Sequence, residues 1–405
     1  MQLRFLAAFS AVALSSFASD AAVRVALAAP AQPRASTHVD VARLYDRSHR
    51  GRGHAPETGE EIFRATCAGC HAADGKGAPK STVAFAVPVP DFTDCKATTP
   101  ESTVDYTAVI RDGGSVRGFS RIMPAFRDLL TPEQIHRVVT YMRTLCPEPS
   151  WPRGELNVSL ALVTEKAFPE DEVVLSSTVS TRGPASIENH FILEKRFGKR
   201  AQLEVDVPYG FVERPGKSWV GGLGDASIAA KRVLYSSSGT SGTILSGLAG
   251  VVLPTADARA GLGTGTTSFE AIVLGAKLLP ARSFFQFEGG VNLPTDVSSA
   301  PRSAFWSGAL GKTVAFSSIT RIWSPAIEVA GSRDLVRGAP VDWSVVPQFQ
   351  LSLSALQHVR AGFGVNIPIT QRKARDSQIM AYLLWDTADG PLLQGWKGRC
   401  TGCEH

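Results

Sequence analysis

The sequence predicts a small α-helical domain followed by a large antiparallel β-barrel that spans a membrane. Three observations predict this. The hydrophobic period changes from three-to-four residues to two on crossing the proline-rich stretch Pro147-Glu-Pro-Ser-Trp-Pro152. The segments beyond it alternate apolar and polar residues and are separated by Gly, Ser, Pro and Asp clusters. Outside the N-terminus no apolar run reaches the roughly 18 residues a spanning helix needs, which excludes a helical membrane protein and leaves a barrel open. The 405 residues are 44% hydrophobic and 20% charged, enough apolar material for a core or a lipid-facing belt, and collagen and bulk disorder are excluded. Lys plus Arg number 42 against 37 Asp plus Glu, with no run that concentrates the excess, so no nucleic-acid partner is expected.

Taken in chain order, Arg4 precedes an apolar run over residues 5–14, and small residues follow at Ala18 and at 26–29. Residues 1–29 therefore read as a secretory signal peptide with two candidate cleavage sites. Export places the six cysteines, at 67, 70, 95, 146, 400 and 403, in an oxidising compartment. Residues 30–56, rich in Ala, Pro, Arg and His without a period, read as a flexible tether. Residues 57–146 form the helical domain, 147–153 a stiff connector, 154–389 the barrel and 390–405 a C-terminal tail.

In the helical domain, residues 58–66 place Ile62, Phe63 and Thr66 on one helix face. Thr131-Pro132-Glu133-Gln134 is a helix start with a capping threonine, Pro at the first position and Gln three residues after the cap. Behind it, Ile135, Val138, Val139, Met142 and Leu145 form an apolar stripe. Between the two helices lies Cys67-Ala68-Gly69-Cys70-His71, the C-x-x-C-H signature of covalent haem attachment. The spacing lets two thiols reach the two vinyl groups of one porphyrin while the adjacent imidazole ligates the iron. A disulfide or half of a zinc site are the competing readings. For the sixth iron ligand, Met123 lies in a loop fixed by Pro124, whereas Met142 belongs to the packing stripe and Met380 to the barrel; His136 and His54 are the rivals.

Together, the CAGCH motif, the turn Ile110-Arg-Asp-Gly-Gly114, the MPAF loop at residues 123–126 and the terminal helix resemble class I cytochrome c over residues 57–146. The resemblance implies one covalently attached haem c held by Cys67 and Cys70, a low-spin iron with His71 and Met123 axial, and electron transfer. Full axial occupation argues against oxygen or peroxide activation. An electron carrier is expected rather than an enzyme with its own substrate turnover. Cys95 and Cys146 depart from the simplest members and read as a disulfide. Cys400 and Cys403 read as a local disulfide, because Glu404 displaces His405 from the place that haem attachment requires.

In the barrel, residues 341–353 put Val, Trp, Val, Pro, Phe and Leu at odd positions and mostly Asp, Ser and Gln at even ones. Residues 202–211, 285–293 and 358–367 repeat the period, with Glu204 and Asp206 facing away from Leu203, Val205, Val207 and Tyr209. Trp219, Trp306, Trp323, Trp343 and Trp385 lie where interfacial girdles form. The order of residues 220–225, 253–255 and 261–267 resembles the outer-membrane barrels named for the meta-pathway of phenol degradation, over residues 154–386. That resemblance implies a barrel of roughly 12 strands with a transporter-like role.

These readings combine into a monohaem cytochrome that transfers single electrons at the periplasmic face of the outer membrane and is joined to a porin-like barrel. An even-stranded barrel begins and ends on the periplasmic side, so the haem domain should cap the mouth there without filling the lumen. Outer-membrane lipid, a small solute in the barrel and a periplasmic redox protein are the expected partners. Arg111, Arg117, Arg121 and Arg127 flank the Met123 loop within a segment, 57–149, of ten basic and twelve acidic residues. A basic rim on a near-neutral body would steer an acidic partner to the haem edge. Two alternatives are a fusion that oxidises extracellular ferrous iron, and a passive channel with a vestigial haem domain.

Overall fold

The computed structural model describes residues 56–386, apart from residues 84, 87, 118, 147, 149, 181–184, 215, 217, 240, 316–321, 355–357 and 373–374. The signal segment, the tether up to residue 55 and the tail with Cys400 and Cys403 lie outside the described residues.

The N-terminal domain is built from α1 (Gly59–Thr66), α2 (Ala68–His71), α3 (Lys80–Val83), α4 (Cys95–Thr98), α5 (Thr103–Asp112) and α6 (Pro132–Thr144). Local chemistry sets both long ends. Thr58 and Glu61 close a reciprocal capping box on α1, and Thr131 and Gln134 do the same on α6, where Pro132 opens the helix. The two helices meet at Gly59, where a Cβ would stand 2.1 Å from the Arg137 carbonyl oxygen, so only glycine allows this approach. Behind the crossing, Ile62, Phe63, Val138 and Val139 are fully buried and pack with Phe92, Ile110, Phe126 and Leu130. A disulfide joins Cys95 to Cys146 across a separation of 51 residues, a closure worth about 4 kcal/mol on chain-entropy grounds.

The rest is one antiparallel sheet. Its strands are β1 (Glu172–Ser180), β2 (Ser186–Phe197), β3 (Ala201–Arg214), β4 (Ser218–Leu223), β5 (Ser227–Ser237), β6 (Thr243–Val252) and β7 (Ser268–Leu279). They continue as β8 (Ser283–Pro294), β9 (Ser303–Lys312), β10 (Val314–Ala315), β11 (Ile322–Asp334), β12 (Asp342–Ser352), β13 (Val359–Pro368) and β14 (Gln378–Asp386). β14 pairs with β1, Glu172 opposite Asp386, and β9 pairs with β11, so the ring closes. β4 and β5 run in succession along β3, and β10 is a two-residue stub on β11. The wall therefore counts twelve strands. Closure removes every sheet edge, the condition for crossing lipid with strands.

The period of two resolves into an inside and an outside. Along β12, Ser344, Val346, Gln348, Gln350 and Ser352 turn inward, and Trp343, Val345, Phe349 and Leu351 turn outward. The outward set recurs around the ring as exposed Phe191, Phe211, Phe269, Ile327, Phe363 and Leu383. Tryptophans sit at two levels: Trp323 and Trp385 near the end where the ring's first strand begins and its last one finishes, Trp219, Trp306 and Trp343 near the opposite end. Among the described residues no helix is long and apolar enough to cross a membrane.

Residues 157–171, expected in the barrel portion, do not enter the wall, whose first strand begins at Glu172. They fold into the lumen. On the way in, the Leu160 and Leu162 N–H groups donate to Gln350 (3.1 Å) and Gln348 (2.9 Å) of β12. At the apex, Thr164 donates its N–H to Glu328 (2.5 Å), its hydroxyl lies 2.5 Å from that of Ser307, and the Glu165 N–H donates to Glu288 (2.9 Å). On the way out, Lys231 Nζ donates to the Lys166 carbonyl (2.9 Å), the Ser246 hydroxyl to that of Ala167, and the Glu170 N–H to Gln202 (2.6 Å). Lys166, almost fully buried, pairs with Glu170 at 2.6 Å and Glu172 at 2.8 Å. Leu156, Val158, Ala167 and Phe168 pack on inward-facing Val233, Ile244, Leu248, Leu274 and Phe284. Twelve strands leave more space than side chains alone can fill, and this segment fills it.

The helical domain rests on the same end of the barrel. Lys199, in the turn after β2, pairs with Glu148, and Arg200 Nε donates to the Ser150 carbonyl (2.9 Å). Arg196 donates to the Lys96 carbonyl (3.0 Å).

Candidate functional site

The CAGCH motif forms at the end of α1. Cys67 caps that helix, and the N–H groups of Cys70 and His71 both donate to its carbonyl (3.1 and 2.9 Å), so α2 is a single helical turn. The following segment folds back on it, with Gly77 N–H on the His71 carbonyl (2.9 Å) and Ala78 N–H on that of Cys70 (2.8 Å). Gly77, at φ +86°, makes the reversal possible. Phe92, whose N–H donates to the Gly75 carbonyl, stacks its ring on His71 with centroids 4.8 Å apart.

The donor set fits a covalently held haem. Cys67 and Cys70 lie one turn apart without bonding to each other. The Cys67 thiol is buried against the apolar core, and that burial pushes its pKa up. His71 is held neutral, its pKa lowered to about 4 by burial, and the neutral imidazole is the form that binds iron. Its Nδ1 is buried and accepts or donates no hydrogen bond. Ile110, Phe126, Leu130 and Met142 add the apolar wall that a porphyrin edge requires.

Met123 packs against this same core from the far side of the sequence. The Gly113-Gly114 pair after α5 fixes its loop: Gly114 N–H donates to the Met123 carbonyl (3.0 Å), and a Cβ on Gly114 would meet the Ser120 carbonyl at 2.4 Å. Phe126 and Arg127 then tie the loop to the end of α5 through the carbonyls of Ile110 and Arg111. His136 points from the exposed face of α6, away from the core; His54 lies outside the described residues. Met142 is a core residue, as its place on the stripe implies.

The four arginines do not form one rim. Arg111 and Arg127 are about half exposed and share Asp112 at 2.6 and 3.1 Å, and Arg121 is exposed beside Ile122 and Phe119. Arg117 is buried instead: 6% exposed, with its Nε 3.0 Å from Asp105 Oδ1. It braces the first turn of α5 and is withdrawn from any docking face. Sequence reasoning also missed Glu101, half-buried between the domain and the barrel. Burial, then the nearby Asp105 and Asp386 carboxylates, push its pKa up to about 7.

Residues 54–142 match the family model described as cytochrome c oxidase, cbb3-type, subunit III. No curated protein matches the chain. Among solved structures, the chain is similar to the COG4313 outer membrane channel from Pseudomonas putida F1, at 14% identity and TM-score 0.37, over 56% of this chain and 99% of that one. It is also similar to the KdgM porin, at 6% identity and TM-score 0.34, over 53% of this chain and 98% of that one. The β domain of the Bordetella autotransporter BrkA matches at 14% identity and TM-score 0.32, over 53% and 97%. The chain thus joins a haem-binding, cytochrome c-type domain at its N-terminal side to a closed antiparallel barrel of twelve strands.

Proposed function

We propose that this protein is an outer-membrane-anchored monohaem cytochrome c that exchanges single electrons with a periplasmic redox partner. The observation that carries this reading is the pair of thiols not bonded to each other, Cys67 buried in the apolar core and Cys70 exposed one turn on, next to a neutral His71 whose buried Nδ1 has no hydrogen-bond partner. Haem bound there supplies a reversible one-electron iron couple. Cys67 and Cys70 anchor it, His71 and Met123 offer nitrogen and thioether ligands, and the surrounding apolar side chains keep water from the iron.

The outward apolar belt with tryptophans at two levels supports a membrane-spanning barrel. The first and last wall strands reach the end on which the cytochrome rests, which in an even-stranded outer-membrane barrel is the periplasmic end. The docking face is formed by Arg111, Arg121 and Arg127 with exposed Phe119 and Ile122 around the Met123 loop. Its charge suits an acidic carrier.

Outer-membrane fractionation combined with haem reduction in intact cells tests the reading. Reduction should follow a periplasmic electron donor and fail with external ferrous iron. Reduction by external ferrous iron would favour an iron-oxidising fusion, and a barrel fraction without haem would leave only a channel.

A further inference from the structure

We propose that the barrel is a cation-conducting channel held shut by the chain's own residues 157–171, and that the docked cytochrome controls their withdrawal. The inference goes beyond electron transfer and stands without it. It rests on three features of the lumen and the connector.

First, the segment is bound as a ligand is bound. Its N–H groups at Leu160, Leu162, Thr164 and Glu165 are taken by Gln350, Gln348, Glu328 and Glu288 of three wall strands. On the opposite wall, Lys231 and Ser246 donate to its carbonyls. The apex reaches the middle of β8 and β11, so a solute entering from either end meets it. The contacts divide by position: Val158, Ala167 and Phe168 pack on inward apolar residues of β5 to β8, whereas around the apex polar side chains satisfy main chain, which water and ions can replace when the segment leaves. A permanent core would be sealed by apolar contacts throughout.

Second, the wall that would be uncovered is acidic. Glu288 and Glu328 would lose their N–H partners, and Glu188, Glu204, Asp206 and Glu270 already face the lumen. Among the described residues Lys231, Arg360 and, at the mouth, Arg196 are inward cations that oppose them, with His190 paired to Asp206. Rings of carboxylates select cations.

Third, the connector has no slack. Arg153 donates to the Arg143 carbonyl (3.2 Å), Gly154 N–H to the Thr99 carbonyl (2.7 Å), and Glu155 accepts from the Thr103 N–H (2.8 Å). The next residue, Leu156, is already buried in the barrel's core cluster. One residue spans at most about 3.6 Å, so a cytochrome that lifts by more than that must pull on residue 157. Cytochrome and plug therefore move together.

The test uses the full holoprotein in planar bilayers bathed in potassium chloride, with haem absorbance and heat-modifiable gel mobility confirming the fold of each variant. The unaltered chain should be almost silent. Lys199→Ala with Arg200→Ala, both in the turn after β2, should loosen the cytochrome and raise open probability several-fold, with potassium permeating in preference to chloride. Glu328→Ala with Gln348→Ala should do the same from inside. Thr164→Cys with Ser307→Cys should form a cross-link, verified by intact mass, that abolishes the Lys199/Arg200 effect until reductant is added. Open, unselective conductance from the unaltered chain would overturn the proposal. So would failure of the cross-link to form, or conduction that persists with it in place.

Discussion

The guanidinium of Arg196, at the end of a barrel strand, lies 5.0 Å over the ring of Trp151 in the connector. Together with its bond to the Lys96 carbonyl, this clamps the cytochrome to the barrel through one side chain. Removing the ring should cost about 1 kcal/mol of docking, the scale of a partly desolvated cation–π contact. Trp151→Ala is therefore expected to speed proteolytic cleavage of residues 147–153 several-fold while haem absorbance and barrel heat resistance stay as they were. Unchanged cleavage would show that the other interface bonds suffice.

The iron ligands are tested through potential and spectrum. Thioether ligation raises a haem's reduction potential, so Met123→Ala should lower it and remove the far-red sulfur-to-iron absorption band. Met142→Ala should keep the band, because that side chain is committed to the core between α1 and α6. It should instead lose about 3 kcal/mol of stability as a large-to-small core change. Persistence of the band in the Met123 variant would move the sixth ligand elsewhere.

What could be read from the sequence was local. Cys67, Cys70 and His71 are set by one helical turn, and the Thr131 capping box by four consecutive residues. β12 was legible because its outward face is apolar and its inward face polar. The luminal segment has no local signature of its own, because Val158, Leu160 and Leu162 alternate with Ser159 and Ala161 in the same period as a strand. Its bonds to Glu328 and Gln348 span more than 160 residues, and no local pattern carries them. One signal was available: β6 and β7 carry large apolar residues on the inward face, at Ile244, Leu248 and Leu274, as well as outside. A lumen filled with water at rest would not ask for that. The burial of Arg117 depends likewise on Asp105 twelve residues away.

Glu101 makes the stability of the cytochrome depend on pH. In the folded chain its carboxyl titrates near pH 7, raised from 4.5 chiefly by burial. Between those values the folded state holds a proton that the unfolded state has lost, so stability falls as pH rises through the window and levels off above it. The thermal midpoint of the haem domain, followed by absorbance, should be lower at pH 8 than at pH 5. Glu101→Gln should flatten that difference; an equal slope in both proteins would assign the dependence to another group.

The arginines around the Met123 loop divide into two kinds, and charge reversal separates them. Arg121 and Arg127 are exposed, with Phe119 and Ile122 beside them. Replacing both by Glu should slow electron exchange with an acidic carrier several-fold at low salt and flatten its ionic-strength dependence, because steering falls off within a Debye length. Neither potential nor thermal midpoint should move much. Arg117→Glu is expected to behave differently. It places a second carboxylate against Asp105 in a site where the arginine is 6% exposed, and breaking such a pair costs about 3 kcal/mol. The midpoint should drop, while exchange by the molecules that remain folded keeps the salt dependence of the unaltered protein. If reversing Arg117 flattens the salt dependence and reversing Arg121 and Arg127 does not, the docking face lies on the α5 side of the domain.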